Sequence, residues 1–479
     1  MADRTLGPAS AGPLTIGLAG LHFPVMGARE HGIFETAVAL VERTGQAERC
    51  GVVSWPELLS TTEDAVKAAR YFGEQGIDFL LVQASSLAMG DTIAPLVENF
   101  DRLGVWVVDE PTYDGELPLN SLTGYNLCVS KIRNLYGERK KLKWFWGAGT
   151  DFEARLAATI RSLAALKSLR GSRIASIGGV VPTFDNLEYR RGSFEKSLGV
   201  QIVEVPLGRL FEAAEKAPPA ALEPIRATLV SQARCIRVGT DLVDDTARIC
   251  YGLQSIRYEE NLDACALRCW PEFQEWKGIA PCAAVAWSND HCMPAACEGD
   301  TPGAVAMLLG SILSGTAATM NDPVALDRKT ATVQMWHCGP GPASWADAEG
   351  QCLDYHHTLN RRSEPGSPRA GVSSDIRFAN GPVTMLRIRA GGDSHFVLEG
   401  EVVSGPSAPY PGSGGWIGNL RMSDKPVSLE DLLQMMAEYG LEHHYPVMRG
   451  HHGSVLTEMA AWAGWKILPR IDSTEHVLA

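Results

Sequence analysis

Long uninterrupted apolar runs are missing from this sequence of 479 residues. Nothing in it reaches the roughly 18 residues that a membrane-crossing helix needs, so no span is expected. An excess of positive charge is missing too. Forty-three Lys and Arg stand against 56 Asp and Glu, a net charge of −13, which argues against a nucleic-acid or anionic-membrane partner. The opening stretch, MADRTLGPASAGPLTIGLAG, lacks the basic segment and apolar run of a secretory leader. The 11 cysteines show neither a CxxC pair nor the spacing of a disulfide framework. Reduced thiols in a cytoplasmic protein are the expectation. Neither GxGxxG nor GxxxxGK[ST] occurs, so no nucleotide site has motif support. Fixed-period repeats and low-complexity segments are also lacking.

What is there alternates. LTIGLAGLHF (14–23), CGVVSW (50–55), IDFLLVQAS (77–85) and VWVVDEP (105–111) read as buried strands. Between them, 32–44, 62–75 and 92–103 carry helical periodicity. Such alternation predicts a parallel sheet covered on both faces, doubly wound by right-handed crossovers. The pattern restarts at SRIASIGGVV (172–181) and continues through VQIVEVPL (200–207), LDACALRCW (262–270) and PCAAVAWS (281–288). From about 350 short alternating runs are broken by Gly and Pro, as in an antiparallel barrel or sandwich. The expected class is α/β: two doubly wound, Rossmann-like α/β domains, 1–170 and 171–350, then a β-rich, barrel-like domain, 351–479.

One stretch stands out, AACEGDTPGAVAMLLGSILSGTAATMNDP (295–323). Residues 301–315 read as a helix, with Pro302 in the first turn and Gly315 at the end. Glu298 and Asp300 lie just before it, where acids ordinarily only cap. Asp322 lies just beyond, where it could be a simple turn residue before Pro323. Histidines cluster as well: of 12, four fall between 337 and 395 and four in HHYPVMRGHH (443–452). A His beside two carboxylates is a ligand set for a hard or borderline divalent ion.

The segment ACEGDTPGAVAMLLG resembles the ATENDSLNGVAMLLG segment of the L-fucose isomerase and L-arabinose isomerase superfamily, with MND in the place of that family's FAD tripeptide. The resemblance puts the two metal-binding acids on Glu298 and Asp322, whose separation, 322 − 298 = 24, agrees with the family spacing. RGHHG resembles the family's C-terminal N-H-G motif and so puts the third ligand on His452. The arabinose isomerases carry E-G-D, matched at 298–300, and a further ligand His that falls on His337 in MWHCG. CWPEFQEW (269–276) belongs to neither enzyme's motifs, and its Trp270 and Glu272 are candidate pocket wall.

The resemblance implies an aldose–ketose isomerase using Mn²⁺, or another divalent cation such as Mg²⁺ or Co²⁺. Its mechanism would be a cis-enediol one, with Glu298 and Asp322 as the proton-transferring pair and His337 or His451 giving hydrogen bonds or a further ligand. It also implies a sugar substrate and a closed homo-oligomer, trimer or hexamer, whose active site lies between subunits. His22 in GLHFPVMG and Gln83 in VQASSLAMGD are the candidate contributions of the N-terminal region. Two rival functions remain at this stage: a metal-dependent lyase or epimerase acting on a sugar acid or sulfonated sugar, and a non-catalytic sugar-binding protein.

Overall fold

The computed structural model describes residues 12–291, 293–360 and 370–474. The readings made on the first 11 residues and on part of the turn-rich stretch after 350 lie outside the described residues. The chain divides into two compact units, Gly12–Lys167 and the part from Ser168 onward.

In the first unit the strands Thr15–Leu21, Gly51–Ser54, Phe79–Ala84, Arg102–Val107 and Lys141–Trp146 form a five-stranded parallel sheet. Its spatial order is second, first, third, fourth, fifth. Phe79–Ala84 is buried at every position, as a strand covered on both faces must be. In this order the direction of winding reverses between the first and third strands, the place beyond whose carboxyl ends ligands of open sheets bind. His22 follows the first strand there, and Ser85 and Ser86 follow the third.

The second unit begins with a four-stranded parallel sheet in the order Ala295–Ala296, Ala264–Leu267, Arg173–Ile177, Gln201–Val205. A larger mixed sheet follows. Six of its strands pair antiparallel in a ring: Thr319–Asp327, Thr332–His337, Ser413–Met422, Ser394–Val403, Gly381–Ile388 and Tyr445–Arg449, the last returning to the first. The interior is apolar, with Val333, Met335, Phe396, Leu398 and Val447 buried. Thr319–Asp327 and Thr332–His337 precede position 350 yet belong to this ring, so no sheet boundary falls at 350. The run 281–288 forms part of the helix Cys282–Asp290.

The expectation of reduced thiols throughout needs one correction, because Cys235 and Cys352 are disulfide-bonded across 117 positions. Strands Ala233–Ile236 and Gln351–Tyr355 pair in parallel and set Cys352 opposite Cys235. That neighbourhood comes from tertiary pairing, which no local cysteine spacing records. Among the described residues no helix is long and apolar enough to cross a membrane.

Candidate active site

The acids before the central helix are placed by a reversal of the backbone. After Ala295–Ala296, Glu298 and Gly299 both take positive φ, 60° and 76°. The left-handed region costs a non-glycine residue about 1–3 kcal/mol and persists only where its surroundings hold it. Here Val181 N–H donates to Glu298 O (3.1 Å) and Gly299 N–H to Leu267 O (3.0 Å). Position 299 tolerates no side chain, since a Cβ there would stand 2.0 Å from Gly179 O. The turn delivers Asp300 to the N-cap of helix Thr301–Ser314, where its Oδ1 accepts from Gly303 N–H at 2.8 Å. The helix is apolar all round and buried from Thr301 to Ser311, and Gly315 ends it in the left-handed conformation.

Asp322 and the histidines are placed by strand register. Strand Thr319–Asp327 runs antiparallel to Tyr445–Arg449, with Asn321 opposite Tyr445. One step further along that register, Asp322 meets His444. On its other side Asp322 pairs with Trp336, beside His337 at the end of the next strand.

These side chains converge on one nitrogen. His444 Nε2 lies 3.2 Å from Glu298 Oε2, 3.8 Å from Asp322 Oδ1 and 3.4 Å from His337 Nε2. His443 Nε2 stands 3.2 Å from the same Glu298 oxygen. The far side of the His444 ring is held as well, with Nδ1 3.0 Å from Asp300 Oδ2. A carboxylate behind an imidazole fixes the ring's orientation and raises its basicity as a ligand. Asp300 also pairs with the fully buried Arg387, which reaches Glu442, which pairs in turn with Arg389.

The charges explain the protonation states. Burial works to raise the Glu298 carboxyl, but the hydrogen bonds from His443 and His444 outweigh it and hold the group well below the usual carboxylate range. Burial likewise opposes ionisation of Asp300, yet Arg387 and His444 bring it down to about 2. Burial disfavours a charged His444, but Asp300 and Glu298 push it up to about 10. For His337, burial again works downward, while Cys338 and Asp322 bring it up to about 9. The carboxylates thus demand a positive charge at this point, as protons on the imidazoles or as a cation replacing them.

The donor types suit a divalent ion of the Mn²⁺ class: Glu298, His443 and His444 form one group and Asp322, His337 and His444 another, each with ligand atoms within 4.8 Å of one another. A further observation points the same way. Asp322 Oδ1 is buried and has no hydrogen-bond partner among the described residues, a costly condition that an ion would relieve. Glu298, Asp322 and His337 open onto a cavity of about 350 Å³, whose apolar wall includes Phe184, Trp270 and Trp336.

Some residues singled out in the sequence lie elsewhere. His452 stands apart from these groups, with its Nε2 2.8 Å from Arg449 O. His451 reaches Gly400 O and Arg421. Trp270 lines the cavity, but Glu272 lines a neighbouring crevice and is ion-paired with Arg268. In the first unit His22 is buried with both ring nitrogens unpartnered among the described residues, and Gln83 accepts from Ser85 Oγ at 2.7 Å. Sequence reasoning passed over His443 and His444, the imidazoles that meet Glu298. The only signal was the His-His pair itself; that it faces Asp322 is decided by strand pairing.

No family model matches the chain. It is similar to proteins named sulfoquinovose isomerase. Those from Priestia aryabhattai and Priestia megaterium are each 26% identical over 448 residues, which cover 89% of this chain and 94% of theirs. One from Alkalicoccus urumqiensis is 27% identical over 411 residues, covering 84% of this chain and 88% of its own.

Proposed function

We propose that this protein is a metal-dependent aldose–ketose isomerase, with Glu298 and Asp322 as its proton-transferring carboxyls. Glu298, Asp322, His337 and His444 would hold one divalent cation, Mn²⁺ by preference. The convergence of both carboxylates and His337 on Nε2 of His444, in the wall of a sugar-sized cavity, carries this reading, and the similarity to named sugar isomerases supports the reaction class. When bound, the cation supplies Lewis-acid polarisation of two neighbouring sugar oxygens.

The protein's own groups do the rest. Glu298, kept ionised by His443 and His444, removes the proton from the hydroxyl-bearing carbon beside the carbonyl. The resulting cis-enediol collapses when Glu298, its proton exchanged with solvent, protonates the adjacent carbon. Asp322, across the site, exchanges the hydroxyl proton between the two oxygens. His443 holds the Glu298 carboxylate in place. Phe184, Trp270 and Trp336 pack the apolar edge of the sugar and keep water from the enediol. The substrate is a sulfonated aldose, following the relatives' names, and the working protein is a cytoplasmic homo-oligomer, trimer or hexamer.

The test is turnover of sulfoquinovose and of neutral aldoses by chelator-treated protein, with and without added Mn²⁺, in deuterated water. A ketose product carrying solvent deuterium, formed only with the cation, is expected. Full activity after chelation removes the metal from the reading, a ketose free of deuterium removes the enediol, and cleaved products replace isomerase with lyase.

A further inference from the structure

A second group of metal-competent side chains lies in the same cavity wall and is chemically unlike the first. Cys282 opens the helix Cys282–Asp290, Cys338 follows the strand Thr332–His337, and His356 follows the strand Gln351–Tyr355. One ligand atom from each lies within 4.8 Å of the other two. Cys282 and His356 are buried, Cys338 is partly so, and all three line the cavity.

Buried cysteines are ordinarily inert, small apolar residues. Two things set this pair apart. An imidazole stands at ligand distance from both sulfurs. The sulfurs themselves are 3.8 Å apart, and two thiolates at about 2.3 Å from a tetrahedral zinc ion would be separated by about 3.8 Å. The spacing is thus already that of a Cys₂His site, with its fourth position toward the cavity. Leu359 N–H donates to His356 Nδ1 at 3.0 Å, so the ring offers its other nitrogen to an ion and gives up that contact when the proton moves to Nδ1.

We propose that Cys282, Cys338 and His356 form a second cation site, selective for a soft or borderline ion such as Zn²⁺. Sulfur donors favour such ions, whereas the carboxylate-rich set around His444 suits a harder one. The proposal rests on the geometry of the wall and not on the isomerase reading.

Cobalt(II) is the probe, because thiolate–Co²⁺ bonds give a charge-transfer absorption that carboxylates and imidazoles do not. The full chain, stripped of metal, is titrated with Co²⁺ and then with Zn²⁺. A thiolate band that saturates and is abolished by Zn²⁺ is expected. Cys282→Ala should weaken Co²⁺ binding at this band at least about tenfold, while Asp322→Asn leaves the band in place. A wild-type protein without the band overturns the site whatever the variants do. So does a band that disappears with Asp322→Asn, or one that persists undiminished in Cys338→Ala or His356→Gln. Those last two replacements cover the case of a Cys282 variant that does not fold. Since the readout is a spectrum rather than turnover, failure here and failure of the isomerase reading are told apart.

Discussion

Asp300 does two things at the site: one oxygen caps a helix, while the other faces the His444 ring and Arg387. Asp300→Asn keeps the shape and removes the charge. It is expected to lower Mn²⁺ affinity about 10–100-fold through loss of the carboxylate behind His444, measured by titration on protein whose circular dichroism confirms the fold. Glu298→Gln keeps size and polarity but removes basicity. Turnover should fall by orders of magnitude while the protein stays folded, as steady-state kinetics would show, and near-normal kcat removes Glu298 from proton transfer. The helix start that carries Glu298 and Asp300 was legible from local marks, which by themselves read the two acids as caps; the role expected of Glu298 came from the resemblance. His444 was not legible: it lies 144 positions from Asp300, and nothing near it signals which strand it will face. The resemblance pointed instead to His452, which lies one strand further on, beyond Tyr445–Arg449.

Among the elements, the turn before the central helix is the most constrained. Gly299→Ala would force a Cβ against Gly179 O in a left-handed backbone. Destabilisation of about 1–3 kcal/mol or more is expected, read from urea unfolding, with activity lost at the same time because Glu298 shares the turn. A variant as stable as the parent would show that the turn relaxes freely. The central helix could be read almost to the residue, since its Pro302, its apolar run and Gly315 are all local signals. So could Leu429–Tyr439, whose Ser428 and Asp431 form a capping box. The ring of six strands could be anticipated only as turn-rich alternation. Its closure depends on pairings between distant segments, such as Thr319–Asp327 with Tyr445–Arg449, and these also carry pieces of the chain on both sides of 350 into one sheet.

For the molecule as a whole, acid sensitivity is expected from a group that takes no part in the proposed chemistry. His395 is fully buried; burial, opposed by the Gly392 carbonyl and Asp393, brings it down to about 4. In the unfolded chain it returns to about 6.5, so the unfolded state binds its proton first as pH falls. Stability from this group is whole above about pH 6.5 and declines toward pH 4, by about 3 kcal/mol in all. His395→Gln should flatten that part of the stability–pH curve, measured by chemical unfolding at pH 7 and pH 5, and an unchanged slope assigns the acid sensitivity elsewhere. Light scattering at micromolar concentration should report a closed homo-oligomer, and a monomer would count against the proposed assembly.

The ring of strands also has a meaning for the gene that encodes it. Asp322 and His444 face each other only because two staves of one closed structure are in step, and every stave is held by neighbours on both sides. One extra codon inside Tyr445–Arg449 cannot be absorbed at a free edge; it turns alternate side chains from the interior to the outside and the ring fails. The same codon between His444 and Tyr445 leaves the stave intact and moves only the histidine. Two in-frame insertions a few nucleotides apart should therefore give an insoluble product in the first case and, in the second, a soluble, folded protein that has lost the proposed cation site.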